Sequence, residues 1–323
     1  MINKIFNTKN IPNYVNQDIE AFNKVIEESL STNVKLINKV IAYVLKKKGK
    51  QLRPLLCCLS ARMKGVANSK TYLSSALVEI IHIATLLHDD VVDKSDFRRG
   101  WPSVHKVWKN KVSILIGDYM FSRSLINMVD LDNIKSLKLF SKTAKRLSEG
   151  EILQIEKSLS SKMDEKTYFF MIRDKTASLF SCSCALGGLS AGCTVQEYNA
   201  LYSFGEKLGM AFQIKDDLFD FIGDKKIIGK PVGFDVKKNM ITLPVIHLMS
   251  KLSSSESKKI LKKMKNNKFN SIEILEKYGS IDYTIDVLNR ISKEAHDELN
   301  IFPDSNAKTL LLECLKFNLN RIR

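Results

Sequence analysis

Proline is scarce, with six residues in a chain of 323. Almost nothing therefore interrupts long helices. Clean apolar–polar alternation bounded by turn pairs is missing, which argues against a sheet. No apolar run reaches the roughly 20 residues that a membrane-spanning helix needs. The opening stretch MINKIFNTKNIPN lacks the apolar centre of a secretory signal, so a cytoplasmic location is expected. The cysteines are Cys57, Cys58, Cys182, Cys184, Cys193 and Cys314, with no Cys-x-x-Cys pair among them. Their apolar neighbours suit small buried hydrophobes rather than a zinc site or a disulfide framework. There is also no glycine-rich phosphate loop and no Ser–His–Asp order, so P-loop and triad chemistry find no support.

What is present is apolar content of 44% and a net charge of +16. The first suffices for a sizeable core. The second invites a nucleic-acid reading, but the lysines are scattered through stretches such as SKLSSSESKKILKKMKNNKFN. Without interleaved aromatics these read as solvated helix faces, and no nucleic-acid partner is expected. Segments such as SSALVEIIHIATLLHDDVVD repeat apolar residues at three and four, so the expected fold is all-α. The expected helices include one ending at Gly49, one over 69–93, one over 112–129, and others near 133–160, 164–190, 195–221, 239–252, 255–266, 270–298 and 304–322. FRRGWPSVHK, with Gly100 and Pro102, is expected to be a loop. No linker of domain-separating composition occurs, so residues 1–323 are read as one domain with lead-in helices over 1–32.

Within this basic chain, HDDVVDKSDFRRG concentrates acid at Asp89, Asp90 and Asp93, with Asp96 just beyond. Asp89 and Asp93, four apart on a helix, share a face with Cβ atoms roughly 5–6 Å apart. Like charges at that spacing repel by about 3 kcal/mol at an effective dielectric of about 20. A solvated helix end would tolerate one such box. QIKDDLFDF repeats the spacing at Asp216, Asp217 and Asp220, again in apolar surroundings. Two such boxes on facing helices would cage Mg²⁺, a hard cation that keeps water and is completed by substrate phosphate oxygens. The nearby cations then have a purpose. Arg98 and Arg99 trail the first box, Lys50 and Arg53 cluster at a helix start, and Lys175 and Lys230 stand alone. Each alone reads as a surface residue; together they suggest two anion pockets, one on metals and one on bare arginine and lysine.

These residues carry a resemblance. The motifs GKQLRP, HDDVVDKSDFRRG, GEILQ, DKTASLF, FQIKDDLFD, GKPVGFD and TLPVI occur in the order found in the trans-isoprenyl diphosphate synthases of the polyprenyl synthetase family, and the chain resembles them over nearly its whole length. Arg321 also resembles the family's C-terminal arginine. The resemblance implies a helical bundle of the isoprenoid synthase type around a central active-site cavity. It implies that Asp89, Asp93 and Asp216 ligate about three Mg²⁺, with Asp90, Asp217 and Asp220 orienting ligands or waters. Arg98, Lys175 and Lys230 would grip an allylic diphosphate, and Thr176 and Gln213 would turn oxygens toward its cation. Lys50, Arg53, His82 and Arg99 would hold isopentenyl diphosphate. His82 lies two turns before Asp89 on nearly the same face, in keeping with that role.

The family pattern D-x-x-x-G-K-x-T-L-P reads DVKKNMITLP here, so Asn239 and Met240 replace Gly and Lys. The lysine contact to the allylic diphosphate that the resemblance implies has no lysine at 240, and Lys237 and Lys238 are the candidate substitutes, at a different helical phase. Below the first box, Ala84 and Thr85 are small, while Met128 and Phe140 align with floor positions in relatives making long products. The expected product is about octaprenyl in length, for a quinone side chain, from a farnesyl or geranylgeranyl primer. A short-chain farnesyl or geranylgeranyl synthase and a non-catalytic subunit of a heteromeric synthase are the alternatives. The resemblance further implies a homodimer, with the apolar helix around 111–129 as one interface, and a peripheral membrane contact for product release.

Overall fold

The structure is a computed structural model that describes residues 12–46, 49–98, 100–160, 162–222, 236, 239–265 and 271–320. Expectations placed on residues 1–11, Arg99, Lys230 with the rest of 223–235, and Arg321 lie outside the described residues. The described chain is helical. Its helices are α1 (Asn13–Leu30), α2 (Lys35–Lys46), α3 (Leu52–Arg62), α4 (Ser69–Val92), α5 (Val104–Asp130), α6 (Ile134–Ser160), α7 (Glu165–Ile172), α8 (Ser178–Ser190), α9 (Val195–Ile222), α10 (Leu243–Ser250), α11 (Ser254–Lys265), α12 (Ser271–Lys277), α13 (Ser280–Glu298) and α14 (Asn306–Asn320). The one ladder among the described residues pairs β1 (Phe97–Arg98) with β2 (Trp101–Pro102), antiparallel.

Four local departures from the sequence reading have physical causes. The stretch read as one helix over 164–190 contains a π turn at Arg173–Ala177. The helix read over 270–298 breaks at Gly279, whose φ of 65° suits glycine. The helix expected from 239 begins only at Leu243, because Asn239 turns left-handed at φ 62°. The loop over 97–106 is shorter than expected: it tightens into a hairpin at Gly100 (φ 77°), and α5 starts at Val104 with a kink at Lys109 (φ 74°).

Contacts divide the chain into two compact units. The first comprises 1–141, 182–202 and 301–313. Its core joins Phe22, Ile26 and Leu30 of α1, Val40 and Ile41 of α2, Ala76, Ile80, Ala84 and Leu87 of α4, and Ile116 and Met120 of α5. A buried ion pair staples it: Arg62 donates twice to Asp18 at 2.6 and 2.7 Å, and the Tyr72 hydroxyl donates to Asp18 at 3.0 Å. The second comprises 142–181, 203–300 and 314–323. Its core gathers Tyr168 and Ile172 of α7, Ile214 and Leu218 of α9, Leu243 and Leu248 of α10, and Leu288 and Ile291 of α13. There His247 stacks on Tyr283 at 4.2 Å between ring centres. Among the described residues, no helix is long and apolar enough to cross a membrane.

Candidate active site

In the first unit, helix α4 is set at both ends. Asn68 and Thr71 cap its start reciprocally: Asn68 Oδ1 accepts from the Thr71 N–H at 3.2 Å, and Thr71 Oγ1 accepts from the Asn68 N–H at 3.1 Å. Its last turn carries Asp89 and Asp90, Asp93 is the C-cap, and Lys94 leaves the helix at φ 51°. A helix C-terminus already gathers negative partial charge, so carboxylates here are destabilising until cations join them. One cation is built in. Asp90 is only 2% exposed. Arg98 directs Nε and Nη2 to the same oxygen of Asp90, each at 2.7 Å. Arg98 is carried by β1, and β2 is pinned to α2 by the Tyr43 hydroxyl donating to the Pro102 carbonyl at 2.7 Å. Asp89 is half-buried and Asp93 exposed.

The expected isopentenyl diphosphate cluster is partly assembled in the same unit. Arg53 Nη1 lies 3.2 Å from His82 Nε2. Arginine can only donate, so His82 accepts through Nε2. Gln51, left-handed at φ 50°, turns the chain into α3, and Lys50 beside it is exposed. A cavity of about 80 Å³ lies beneath, lined by Glu79, His82, Asp90 and Arg98 among apolar groups including Ile83 and Leu86. That volume holds a few waters or a small polar group rather than a prenyl tail. Glu79, buried in apolar α4 three residues before His82, was not singled out in the sequence; its signal was an acid on the face shared with Ile83, Leu86 and Asp90. Of the chain-length residues, Ala84 is buried in the core of the unit, and Met128 and Phe140 are buried as well. Thr85 is half-buried and donates its hydroxyl to the His82 carbonyl at 2.8 Å.

In the second unit the second box occupies the final turns of α9. Asp217, 4% exposed, accepts from the Tyr168 hydroxyl and from Gln213 Nε2, each at 2.7 Å. Thr176 in turn donates its hydroxyl to Gln213 Oε1 at 2.8 Å. Asp216 and Asp220 are half-buried, four apart on one face. Lys175 Nζ sits 2.5 Å from Glu151 of α6. Sequence reasoning named Thr176, Gln213 and Asp217 but missed Tyr168, which reads as an ordinary core aromatic until its hydroxyl is placed.

The two boxes share one division. In each, the middle aspartate is buried on a protein donor, while the outer pair is more open to solvent. The outer groups are hard oxygen donors of the kind that suits Mg²⁺ or Ca²⁺. Among the described residues no three acidic, histidine or cysteine side chains converge as a ready-made metal cage.

The polyprenyl synthetase family model matches residues 34–281. The octaprenyl diphosphate synthase of Escherichia coli (strain K12) is 33% identical over 311 residues, 95% of this chain and 96% of that protein. The geranylgeranyl diphosphate synthase of Sulfolobus acidocaldarius is 32% identical over 301 residues, 89% of this chain and 91% of that protein. Among solved structures, the polyprenyl synthase of Caulobacter crescentus CB15, complexed with calcium and isoprenyl diphosphate, matches with a TM-score of 0.87 at 29% identity, covering 100% of this chain and 98% of that one.

Proposed function

The chain belongs to the polyprenyl synthetase family and is a prenyltransferase, and from that premise we propose that it elongates an allylic diphosphate with isopentenyl diphosphate to a long all-trans polyprenyl diphosphate. The observation that carries the reading is the shared division of the two aspartate boxes. Outer carboxylates Asp89, Asp93, Asp216 and Asp220 are more open to solvent, and middle carboxylates Asp90 and Asp217 are buried and held in place by protein donors. Magnesium ions, about three by family likeness, would be held by Asp89, Asp93 and Asp216 and would neutralise charge on the leaving diphosphate.

The remaining work falls to side chains. Lys175, Arg98 and Lys230 bind the allylic diphosphate, and Arg98 must share itself between that anion and Asp90. Thr176 gives its proton to Gln213 Oε1, so its oxygen lone pairs stay available to face positive charge in the allyl group. Arg53 and His82, already 3.2 Å apart, with Lys50 and Arg99, hold the second diphosphate. The departing diphosphate takes the final proton, so no side-chain base is required. The Escherichia coli relative, named for octaprenyl diphosphate, supports a product of about that length; its use in quinone side chains is part of the proposal. The Sulfolobus relative, nearly as similar and named for geranylgeranyl diphosphate, favours a second reading as a short-chain synthase. The protein acts as a homodimer, for which exposed Leu115, Ile126 and Val129 on α5 offer an apolar face.

The test is incorporation of radiolabelled isopentenyl diphosphate with each allylic primer, followed by chromatography of the dephosphorylated products. A product no longer than geranylgeranyl supports the second reading, and no incorporation with any primer overturns both.

A further inference from the structure

The π turn Arg173–Ala177 separates α7 from α8. Such turns are rare and concentrate at functional sites. This one is held by a buried cluster. Asp174, 3% exposed, accepts from Arg146 Nε at 2.7 Å. Arg146 Nη2 donates to the Arg173 carbonyl at 3.1 Å and to Glu206 Oε1 at 2.7 Å. A single guanidinium therefore ties α6, the backbone of the turn and α9. Two glycines let those helices close in. A Cβ on Gly150 would stand 2.5 Å from the Lys175 nitrogen, and one on Gly209 would stand 2.5 Å from the Ala177 Cα. Within the turn, consecutive residues reach different helices: Lys175 meets Glu151 of α6, and Thr176 meets Gln213 of α9.

We propose that Arg146 is a positioning residue, whose rigid fork sets the register of the π turn and thereby aims Lys175 and Thr176 at the allylic substrate. The inference rests on the reading of Lys175 and Thr176 given under the proposed function. The Arg146 fork, not merely its charge, is needed, because its acceptors are a side chain and a backbone carbonyl of the turn and a carboxylate of α9 at once. A lysine supplies the charge as a single point and cannot span them.

The decisive variant is Arg146→Lys in the full chain. Arg146→Ala is a poor choice, since it leaves buried Asp174 with only Arg173 Nε at 3.4 Å and removes the partner of half-buried Glu206. Arg146→Lys should raise KM for the allylic diphosphate and lower kcat, together by about tenfold to a hundredfold. KM for isopentenyl diphosphate should stay within about twofold, because a loss confined to one substrate marks positioning rather than general loosening. Amide exchange across 173–178 should speed up while the melting temperature holds. Asp174→Asn, which keeps an acceptor, should act in the same direction more weakly, and it carries the test if the lysine variant does not fold. Unchanged kinetics for both substrates, or equal rises in both KM values with a lower melting temperature, overturn the proposal. Lys175→Ala run in parallel separates the two claims. If it spares the allylic KM, the reading of Lys175 fails and takes the proposal with it; if it raises that KM while Arg146→Lys does not, the proposal alone fails.

Discussion

Buried Asp90 pairs with half-buried Arg98 at the end of α4, with both Nε and Nη2 of the arginine 2.7 Å from one carboxylate oxygen. The other box repeats this arrangement with neutral donors, since Asp217 rests on Tyr168 and Gln213. Middle and outer aspartates should therefore fail differently. Asp89→Ala and Asp216→Ala should lower turnover by about a hundredfold or more while leaving the melting temperature unchanged or higher. Asp217→Ala should also cost about 1–3 kcal/mol of stability, because the Tyr168 hydroxyl has no exposure through which to find water. Asp90→Ala should cost less, since half-buried Arg98 can turn to solvent. Steady-state kinetics alongside thermal unfolding will check this. Near-normal turnover in both outer variants would remove the metal-site reading.

Metal binding should register without catalysis. Both boxes sit in the last turns of their helices, where carboxylates oppose the helix dipole. Millimolar Mg²⁺ should raise the melting temperature of substrate-free protein, and chelation should reverse the rise. The double variant Asp89→Ala/Asp216→Ala should show a smaller response. A Mg²⁺ response of wild-type size in the double variant would place the stabilising ion elsewhere.

Product length gives a third test. Met128→Ala and Phe140→Ala should lengthen the product, as each opens volume at a buried position. Ala84→Phe should shorten it to about farnesyl or geranylgeranyl. Because Ala84 packs among Phe22, Ile26 and Met120, the added ring should also cost about 1–3 kcal/mol through overpacking. Chromatography of dephosphorylated products, scored at equal folded fraction, separates the two effects. An unchanged product from folded Ala84→Phe would mean the tail passes elsewhere.

Stability should fall on the alkaline side in two steps. Burial pushes the thiols of Cys58 and Cys184 from 9.0 up to about 12. Burial, together with hydrogen bonds to Asp18 and Glu165, lifts Tyr72 and Tyr283 from 10.0 to about 12. The folded chain keeps protons that the unfolded chain releases, so this stability is full below about pH 9 and is lost between pH 9 and 12. Denaturant melts across that range should show the thiol share first. Burial raises the Cys57 thiol as well, so in Cys57→Ala/Cys58→Ala/Cys184→Ala the loss between pH 9 and 10 should shrink. An undiminished early loss would assign it to other groups.

Much of the site was legible because its chemistry is local in sequence. An i, i+4 acid pair in an apolar helix declares itself without a fold, whereas His82 entered the candidate site only through the family resemblance, since alone it reads as a core histidine. Arg146, Asp174 and Glu206 were not legible, because separate helices bring them together. The π turn was hidden for another reason: one extra residue barely disturbs a helical pattern over 164–190. Tyr168 and Glu79 each looked like core or stray surface until burial was known. The reading of one folding domain expects a single cooperative unfolding transition, which calorimetry will test.

The left-handed turn at Asn239 bears on how this chain can change. Its φ of 62° is a conformation that glycine adopts freely and asparagine tolerates best among the rest. The substitution at 239 therefore leaves the backbone path intact, and the chemical departure is concentrated in the next residue. Half-buried Met240 stands where the family pattern D-x-x-x-G-K-x-T-L-P has a lysine. Regaining that cation needs one residue exchange and no compensating glycine. Met240→Lys is thus a single-residue exchange that should lower the allylic KM with the fold unchanged.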